Sequence, residues 1–160
     1  LHILHDGLGE RFKPAPLFEK VFEKGYLGKK SGSGFYVHEP KERYPNKEIA
    51  TFRMPQKIPV EKQEEYRERM LLVMVNEAAR CLEEGIVDEA AAVDVGMILG
   101  TGFPPFRAGL LHYADHEKID NIIDSLTFFQ ERVDKTRFET AQYLLDLQKR
   151  NESFYTATIK

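Results

Sequence analysis

The residues of this sequence with the clearest chemical potential form the run from Gly28 to Tyr36, in which three glycines, two lysines and two serines precede two aromatic residues. Glycines allow the backbone to approach a ligand closely and the lysines supply positive charge, so the run could bind a phosphate. The Walker spacing fails, however, because Gly28-Lys29-Lys30-Ser31 has one lysine too many and no glycine five residues earlier. Gly32-Ser33-Gly34 begins a dinucleotide fingerprint, but Val37 stands at the third glycine position and no strong parallel strand precedes the run. The spacing therefore argues against a self-contained nucleotide loop.

The segment 11–30 is locally basic, with six lysine and arginine residues against two glutamates. Such a patch can attract a phosphate-bearing ligand, or it can be a solvated surface, which is the commoner role of exposed charge. Both interpretations stay open, and the second is preferred. The whole chain carries 23 basic and 26 acidic residues, and this net charge of −3 excludes a general nucleic-acid binder.

Two histidines have the spacing of a metal site. His112 and His116 are four residues apart, which puts both imidazoles on one face of a helix, as zinc sites require. The zinc-protease pattern needs a glutamate directly after its first histidine, and Tyr113 occupies that position. Two histidines with one neighbouring carboxylate, Asp115, do not make a ligand set. We therefore expect no metal site.

Cys81 and Asn76 belong to the segment with the strongest helical pattern. We expect Cys81, the single cysteine, to be a buried structural thiol, because a nucleophilic cysteine needs a partly exposed, electropositive setting. Asn76 should hydrogen-bond to another helix or loop, since a buried amide needs partners. No Ser/His/Asp set and no placed pair of carboxylates stands out, so we expect no catalytic residue in this chain.

The elements that would position these residues are almost all helices, and the sequence predicts an all-α fold. The clearest helix covers about 61–84, where apolar residues recur on one face until Gly85 ends the pattern. Asp88 is a good N-cap for a helix to Leu99, with Gly100 as its stop. The remaining expected elements are helices at 1–5, from Pro16 to a stop at Gly25, and near 107–115, 119–134 and 138–150, with a short extended piece at 35–37.

Residues 39–63 differ in composition from the segments on either side. Four prolines punctuate a charged stretch with few apolar residues, which indicates a linker. No apolar run in the sequence is long enough for a membrane span. The chain begins without a methionine and already in helical apolar spacing, so we expect it to be a piece of a longer protein.

Two motifs resemble a known family. Leu27–Tyr36, with the sequence LGKKSGSGFY, resembles the ending of the C-terminal domain of L-3-hydroxyacyl-CoA dehydrogenases. Residues 69–106 resemble the beginning of such a domain, through Asn76-Glu77-Ala78, the segment 80–86, Asp94 and the loop Gly102–Phe106. Because the ending precedes the beginning, the order is similar to that of the multifunctional α-subunits of the fatty-acid β-oxidation complex, which carry two such domains in tandem.

The resemblance implies a domain organisation and a function. Residues 1–38 would end a first C-terminal domain, 39–63 would be the linker, and 64–160 would be a complete second domain. The parent would be an NAD-dependent oxidoreductase of lipid metabolism that oxidises 3-hydroxyacyl-CoA, with NAD and the His–Glu pair that moves the proton in a Rossmann domain absent from this chain. This chain would be structural, would line the acyl-CoA cleft and would be inactive alone; alternatively, it would dock a thiolase subunit or a second copy.

The resemblance also singles out site residues. Lys29, Lys30, Leu99 and Phe103 are the candidate acyl-CoA cleft residues. Glu68 stands where the family's first copy has an active-site asparagine, so we expect no chemistry in this copy. Leu99 stands where some α-subunits have a substrate-contacting tyrosine and lacks its hydroxyl. The parent would also contain a hydratase domain, and its location would be cytoplasmic if bacterial, or otherwise the mitochondrial matrix or peroxisome.

Overall fold

The computed structural model describes residues 2–52 and 59–156. The chain divides into two compact units, Leu1–Pro59 and Val60–Lys160. Taken over the described residues, the structure is mostly helical with one small two-stranded sheet, which confirms the predicted all-α fold. Within the described ranges, no helix is both long and apolar enough to cross a lipid bilayer.

The first unit contains short elements joined by tight turns. Its helices are α1 (His2–Leu8), α2 (Pro16–Glu23) and α3 (Lys47–Ala50), and its strands are β1 (Tyr36–His38) and β2 (Arg43–Pro45). Single turns of 3-10 helix cover Glu10–Phe12 and Lys29–Ser31. The two strands pair antiparallel, with Val37 opposite Tyr44. Among the described residues of this unit, the buried apolar side chains are Val21 and Ile49.

Helix α2 begins and ends where the sequence predicts. Pro16 occupies its first turn, where the missing N–H leaves no hydrogen bond unmade. Gly25 follows the helix with a φ of +71°, a left-handed conformation that suits glycine. The N–H of Tyr26 then donates to Val21 O at 3.1 Å and closes the C-terminal turn. The predicted stop at Gly25 is confirmed.

The segment 39–63 differs from the predicted linker, because β2 and α3 fold into the first unit. Asn46 joins them to the glycine run. Its Oδ1 accepts the N–H of Glu48 and caps α3. Its Nδ2 donates to Ser33 Oγ and to Gly34 O, both at 3.0 Å. Residues 53–58 of the expected linker lie outside the described residues.

In the second unit, the described residues form five helices around one apolar core. They are α4 (Val60–Glu83), α5 (Ala90–Thr101), α6 (Leu110–Glu117), α7 (Ile119–Arg132) and α8 (Gln142–Arg150). A 3-10 turn at Pro105–Arg107 precedes α6. The core takes residues from every one of these helices, for example Val75, Ala90, Leu111, Leu126 and Leu144. The last three predicted helices therefore exist, with shifted boundaries.

The boundaries of α4 agree with the sequence, and those of α5 do not. Gly85 has a φ of +66° just after α4, which confirms its predicted role as the stop. The predicted N-cap at Asp88 is wrong, because Glu89 precedes the first helical residue. The predicted stop at Gly100 is also wrong: α5 continues to Thr101, and Gly102 ends it with a φ of +73°. A helix interior tolerates glycine at modest cost, whereas Gly102 has the left-handed angle that ends a helix.

Candidate functional site

A groove of about 790 Å³ opens in the second unit. We call it the α4 groove, because one wall is the face of α4 between Glu64 and Val75. The opposite wall consists of the loop after α5, α6 and the start of α7. Its volume falls in the range of small-ligand sites, about 300–1,000 Å³. The lining residues are Glu64, Arg67, Glu68, Met70, Leu71, Leu72, Met74, Val75, Phe103, Pro104, Phe106, Arg107, Tyr113, Glu117, Asn121, Ile122 and Ser125.

The floor of the α4 groove is apolar. Met70 is 60% exposed, and Met74 on the next turn of α4 is half-buried. Phe103 is buried in the opposite wall. Methionine side chains are flexible and polarisable, so they adapt to apolar ligands of different shape. Phe103, a predicted cleft residue, thus lines a surface suited to an apolar ligand, and its contact with acyl-CoA stays a prediction.

Charged and polar side chains surround this floor. Glu68 accepts a hydrogen bond from Ser125 Oγ at 2.9 Å, which links α4 to α7. The guanidinium of Arg107 lies 5.0 Å from the ring centre of Tyr113. Burial raises the pKa of Tyr113, and the Glu117 carboxylate raises it further. The Tyr113 hydroxyl therefore stays protonated at neutral pH and can orient a ligand as a donor, but it cannot act as a base.

The other three predicted cleft residues are not among the residues that line the α4 groove. Leu99 is 81% exposed on α5 and does not line the groove. Lys29 and Lys30 are exposed in a 3-10 turn of the first unit. Of the four candidates, the structure places Phe103 alone in the groove wall.

Asp94 is a buried carboxylate that holds the start of α6. It lies in the middle of α5 and is 3% exposed. Its Oδ1 accepts the N–H of Leu111 at 2.6 Å, and its Oδ2 accepts the N–H of His112 at 3.1 Å. The first N–H groups of a helix have no partner within it, so Asp94 caps α6 from outside. Gly109 permits this approach, since a Cβ there would lie 2.2 Å from Asp94 Cγ.

Residues 152–156, which we call the C-terminal strap, contact α6 at His112 and Asp115. The N–H groups of Phe154 and Tyr155 donate to the two carboxylate oxygens of Asp115, at 2.9 and 3.2 Å. The Tyr155 hydroxyl donates to Asp94 Oδ2 at 2.7 Å, and its ring stacks on His112 with centres 3.7 Å apart. Burial, followed by the hydrogen bond to Asp94, raises the pKa of Tyr155 well above its usual range. The hydroxyl is therefore a donor at any physiological pH.

Of the two histidines with the spacing of a metal site, His112 packs on a side chain of the C-terminal strap. His112 stacks on Tyr155, and the carboxylate of Asp115 accepts two backbone hydrogen bonds from the C-terminal strap. In residues 2–52 and 59–156, no group of three His, Cys, Asp or Glu side chains is arranged to hold a metal ion.

Asn76 has the role that its sequence position predicts. It is 2% exposed, its Nδ2 donates to Glu139 O, and its Oδ1 accepts the N–H of Ala141, both at 2.8 Å. Arg80 Nη2 donates to the same Glu139 carbonyl at 2.6 Å. These bonds tie α4 to the segment that enters α8, which confirms the expected bond across to a loop. Cys81 is half-buried rather than fully buried as predicted.

The glycine run forms a closed turn. Gly28 and Gly32 have φ values of +86° and +73°. Gly34 packs so tightly that a Cβ on it would lie 2.7 Å from Gly28 Cα. The run leads into the antiparallel ribbon of β1 and β2, whereas a dinucleotide fingerprint needs a parallel strand before it and a helix after it. The glycine run from Gly28 to Gly34 therefore lacks the strand and helix of an NAD-binding loop, and its residues do not fit this cofactor.

Sequence reasoning missed the network around Asp94 and the role of Asn46. One signal was available for Asp94: a single carboxylate inside the apolar segment 90–99 must find partners when that segment is buried. Nothing local identifies the partners, because Tyr155 is 61 residues from Asp94 and Ser33 is 13 residues from Asn46.

Known proteins are similar in sequence to this chain. Residues 66–155 match the family described as 3-hydroxyacyl-CoA dehydrogenase, C-terminal domain. The chain is 34% identical over 159 residues to the fatty acid oxidation complex subunit alpha of Shewanella sp. (strain MR-4). It is 33% identical over 155 residues to the protein of that name in Vibrio parahaemolyticus serotype O3:K6 (strain RIMD 2210633). Both alignments cover 96% of this chain, which spans 22% of the length of these curated relatives. The resemblance of the two motifs is thereby confirmed, and the chain belongs to the 3-hydroxyacyl-CoA dehydrogenase C-terminal domain family.

Proposed function

We propose that this chain is the helical C-terminal portion of an NAD-dependent 3-hydroxyacyl-CoA dehydrogenase, within the α-subunit of a fatty acid oxidation complex. Its role there is structural, it lines part of the acyl-CoA cleft, and it does not perform the chemistry. The family match and the named relatives support this parent protein. The use of the buried polar groups supports the non-catalytic role.

The observation that carries the proposal is that the buried polar side chains bind backbone. Within the described residues these side chains are Asn46, Asn76 and Asp94. Each one holds a helix end or a turn: Asn46 bonds to Gly34 O, Asn76 to the Ala141 N–H, and Asp94 to the Leu111 N–H. A general acid or base must instead present a hydrogen-bonding atom to the substrate. Among the described residues, the best-shielded polar groups are therefore engaged in maintaining the fold.

The tandem arrangement forms part of the proposal. The family match covers residues 66–155 and begins a few residues into the second unit, which supports the proposal that 64–160 is a whole C-terminal domain. Residues 1–38 are then the end of a preceding copy. In this proposal NAD is bound elsewhere in the parent, by a Rossmann domain. The antiparallel ribbon that follows the glycine run supports the proposal that this run is not the NAD site.

Glu68 supports the assignment of this copy as chemically silent. It occupies the position where the resemblance expects an asparagine, and its carboxylate accepts the hydrogen bond of Ser125. A carboxylate accepts hydrogen bonds but cannot donate one as an amide does. Glu68 therefore cannot replace an asparagine that donates to the substrate.

The isolated chain tests the proposal with acetoacetyl-CoA and NADH. We expect NADH oxidation no faster than in a blank without protein, while an intact α-subunit of a relative turns over under the same conditions. Turnover by the chain near that of the intact protein would overturn the non-catalytic assignment. In the parent protein, Phe103→Leu should raise KM more than it lowers kcat, because a cleft wall contributes to binding in the ground and transition states alike.

A second function, docking of a thiolase subunit or of a second copy, has support on α5. Val95 and Leu99 are 56% and 81% exposed and stand four residues apart, so they share one helix face. Exposed apolar side chains that share a face favour contact with a partner. Light scattering of the chain and its capture by a thiolase subunit test this function. Leu99→Lys should weaken either association, and binding that Leu99→Lys leaves unchanged would contradict docking through α5.

A further inference from the structure

We propose that Asp94 and Tyr155 are positioning residues of the α4 groove, through which the C-terminal strap fixes α6 and the groove wall that α6 forms. The inference rests on the proposed function for the identity of the groove's ligand. The positioning itself can be measured without any ligand.

Helix α6 needs support from outside because it is short. Its eight residues, Leu110–Glu117, make little more than two turns, and an isolated helix of that length is unstable in water. Leu110, Leu111 and Ala114 anchor its inner face in the core. Apolar packing sets the depth of a helix but has little directional preference. The directional contacts are the hydrogen bonds to Asp94 at its start and to Asp115 on its outer side.

The C-terminal strap and the α4 groove contact different faces of α6. The strap binds His112 and Asp115, which are three residues apart and share a face. Tyr113 and Glu117 are four residues apart, share a second face and line the groove. Any rotation of α6 that detaches the strap therefore moves the side chains that form the groove wall.

Asp94 connects the strap to the loop as well. The loop between Gly102 and Gly109 carries Phe103, Phe106 and Arg107 into the groove wall. Its last residue, Gly109, lies against Asp94, and the next residues of α6 donate to the same carboxylate. Tyr155 supplies the third hydrogen bond to this carboxylate. One buried group thus receives contacts from the strap, the helix and the end of the loop.

The experiment uses a fluorescent reporter in the groove rim. The chain has no tryptophan, and Phe106 is 84% exposed, so Phe106→Trp adds a single indole with little disturbance. In this background Tyr155→Phe removes one hydroxyl. The matched control is Tyr143→Phe, because the Tyr143 ring stacks on Phe154 of the same strap, with centres 5.9 Å apart, and does not bond to Asp94.

We expect Tyr155→Phe to raise the amide exchange rates of Leu111 and His112 about tenfold, the effect of losing a hydrogen bond to a charged group. Exchange in the core of α4 and α8 should stay unchanged, and acrylamide quenching of the introduced indole should change. Tyr143→Phe should alter neither the two amides nor the quenching. Asp94→Asn preserves the size of the side chain and should produce the same pattern with a larger amplitude.

Three results would overturn the proposal. Equally faster amide exchange throughout α4–α8 would show that Tyr155 stabilises the whole unit and not α6 in particular. Faster exchange at Leu111 with unchanged quenching would show that the hydrogen bonds at the start of α6 do not position the groove wall. Equal effects of Tyr155→Phe and Tyr143→Phe would exclude the path through Asp94. If Asp94→Asn does not fold, Tyr155→Phe decides alone. No readout uses acyl-CoA, so failure here and failure of the proposed function are distinguishable.

Discussion

Different interactions stabilise the interior of each of the two units. Among described residues, the first unit buries the apolar side chains of Val21 and Ile49, whereas the second buries nineteen in one cluster. The first unit depends instead on backbone geometry, with glycines at positive φ and the hydrogen bonds of Asn46. The second depends on apolar packing, with Asn76 and Asp94 fixing the relative positions of helices.

This difference indicates how much of a domain each unit contains. In the first unit Ile3, Phe22 and Leu27 are 86%, 68% and 56% exposed. The second unit exposes large apolar side chains too, so the informative difference is the small number that the first unit buries. The contrast supports the proposal that residues 1–38 end a preceding copy, while the second unit is whole.

Leu144→Ala should give the largest difference between the two units in free energy of unfolding. Leu144 is fully buried in the core of the second unit, and the substitution should lower its free energy of unfolding by about 3 kcal/mol. Val21→Ala in the first unit should leave the unfolding of the second unaffected. Urea unfolding followed by circular dichroism measures both. An equal shift of the main transition by Val21→Ala would contradict the independence of the units.

Gly109→Ala should destabilise the second unit by about 2–3 kcal/mol, because its φ of +126° strains any side chain and the new Cβ would overlap Asp94. Gly96→Ala is the matched control. Gly96 lies within α5 with nothing within 4 Å of its Cβ position, and alanine there should be neutral or stabilising. Thermal unfolding of both variants gives the comparison. A destabilised Gly96→Ala protein would show that the crowding around Asp94 is not the cause.

The same substitution at two buried asparagines should have different costs. Asn76→Ala leaves the Ala141 N–H without its partner and should cost about 2 kcal/mol in the second unit. Asn46→Ala removes a helix cap and should cost about 1 kcal/mol in the first unit alone. Residue-resolved amide exchange assigns each loss to its unit. Faster exchange in α4 caused by Asn46→Ala would be the opposite result.

Lys29→Ala with Lys30→Ala should have the smallest effect. Both side chains are exposed, so the stability of the first unit should change by less than about 0.5 kcal/mol. Calorimetric titration with CoA tests the basic segment 11–30 in the same variant. If the affinity for CoA is unchanged, the segment is a solvated surface. A clear loss of affinity for CoA would support its interpretation as a phosphate site.

Elements governed by local forces could be predicted from the sequence. The apolar face of α4 predicts this helix, and Gly85 predicts where it ends. Gly25 likewise predicts the end of α2, and the observed bounds agree with these predictions within a few residues. Each of these signals lies within one or two turns of the structure that it determines. The pairing of Asn76 was also predictable, because a polar residue on a buried face needs a partner wherever it lies.

Features that depend on distant residues could not be predicted in this way. The sequence predicts a linker where β2 and α3 form, because Asn46 meets its partners only after the chain has turned back on itself. The sequence does not predict the α4 groove either, since Met70 and Met74 have the same helical spacing as core residues. Whether such a side chain faces the core or a groove depends on what the opposing helices leave uncovered.

The contact between Asp94 and Gly109 constrains how this sequence can change by substitution. A larger residue at 109 collides with the carboxylate, and a residue at 94 without that carboxylate removes the acceptor for Leu111 and His112. Neither position can vary freely while the other stays fixed. Relatives with alanine at 109 should therefore carry a different residue at 94, and an engineer who redesigns α5 must choose both residues together. The two positions should therefore covary among related sequences, although they are fifteen residues apart in the chain.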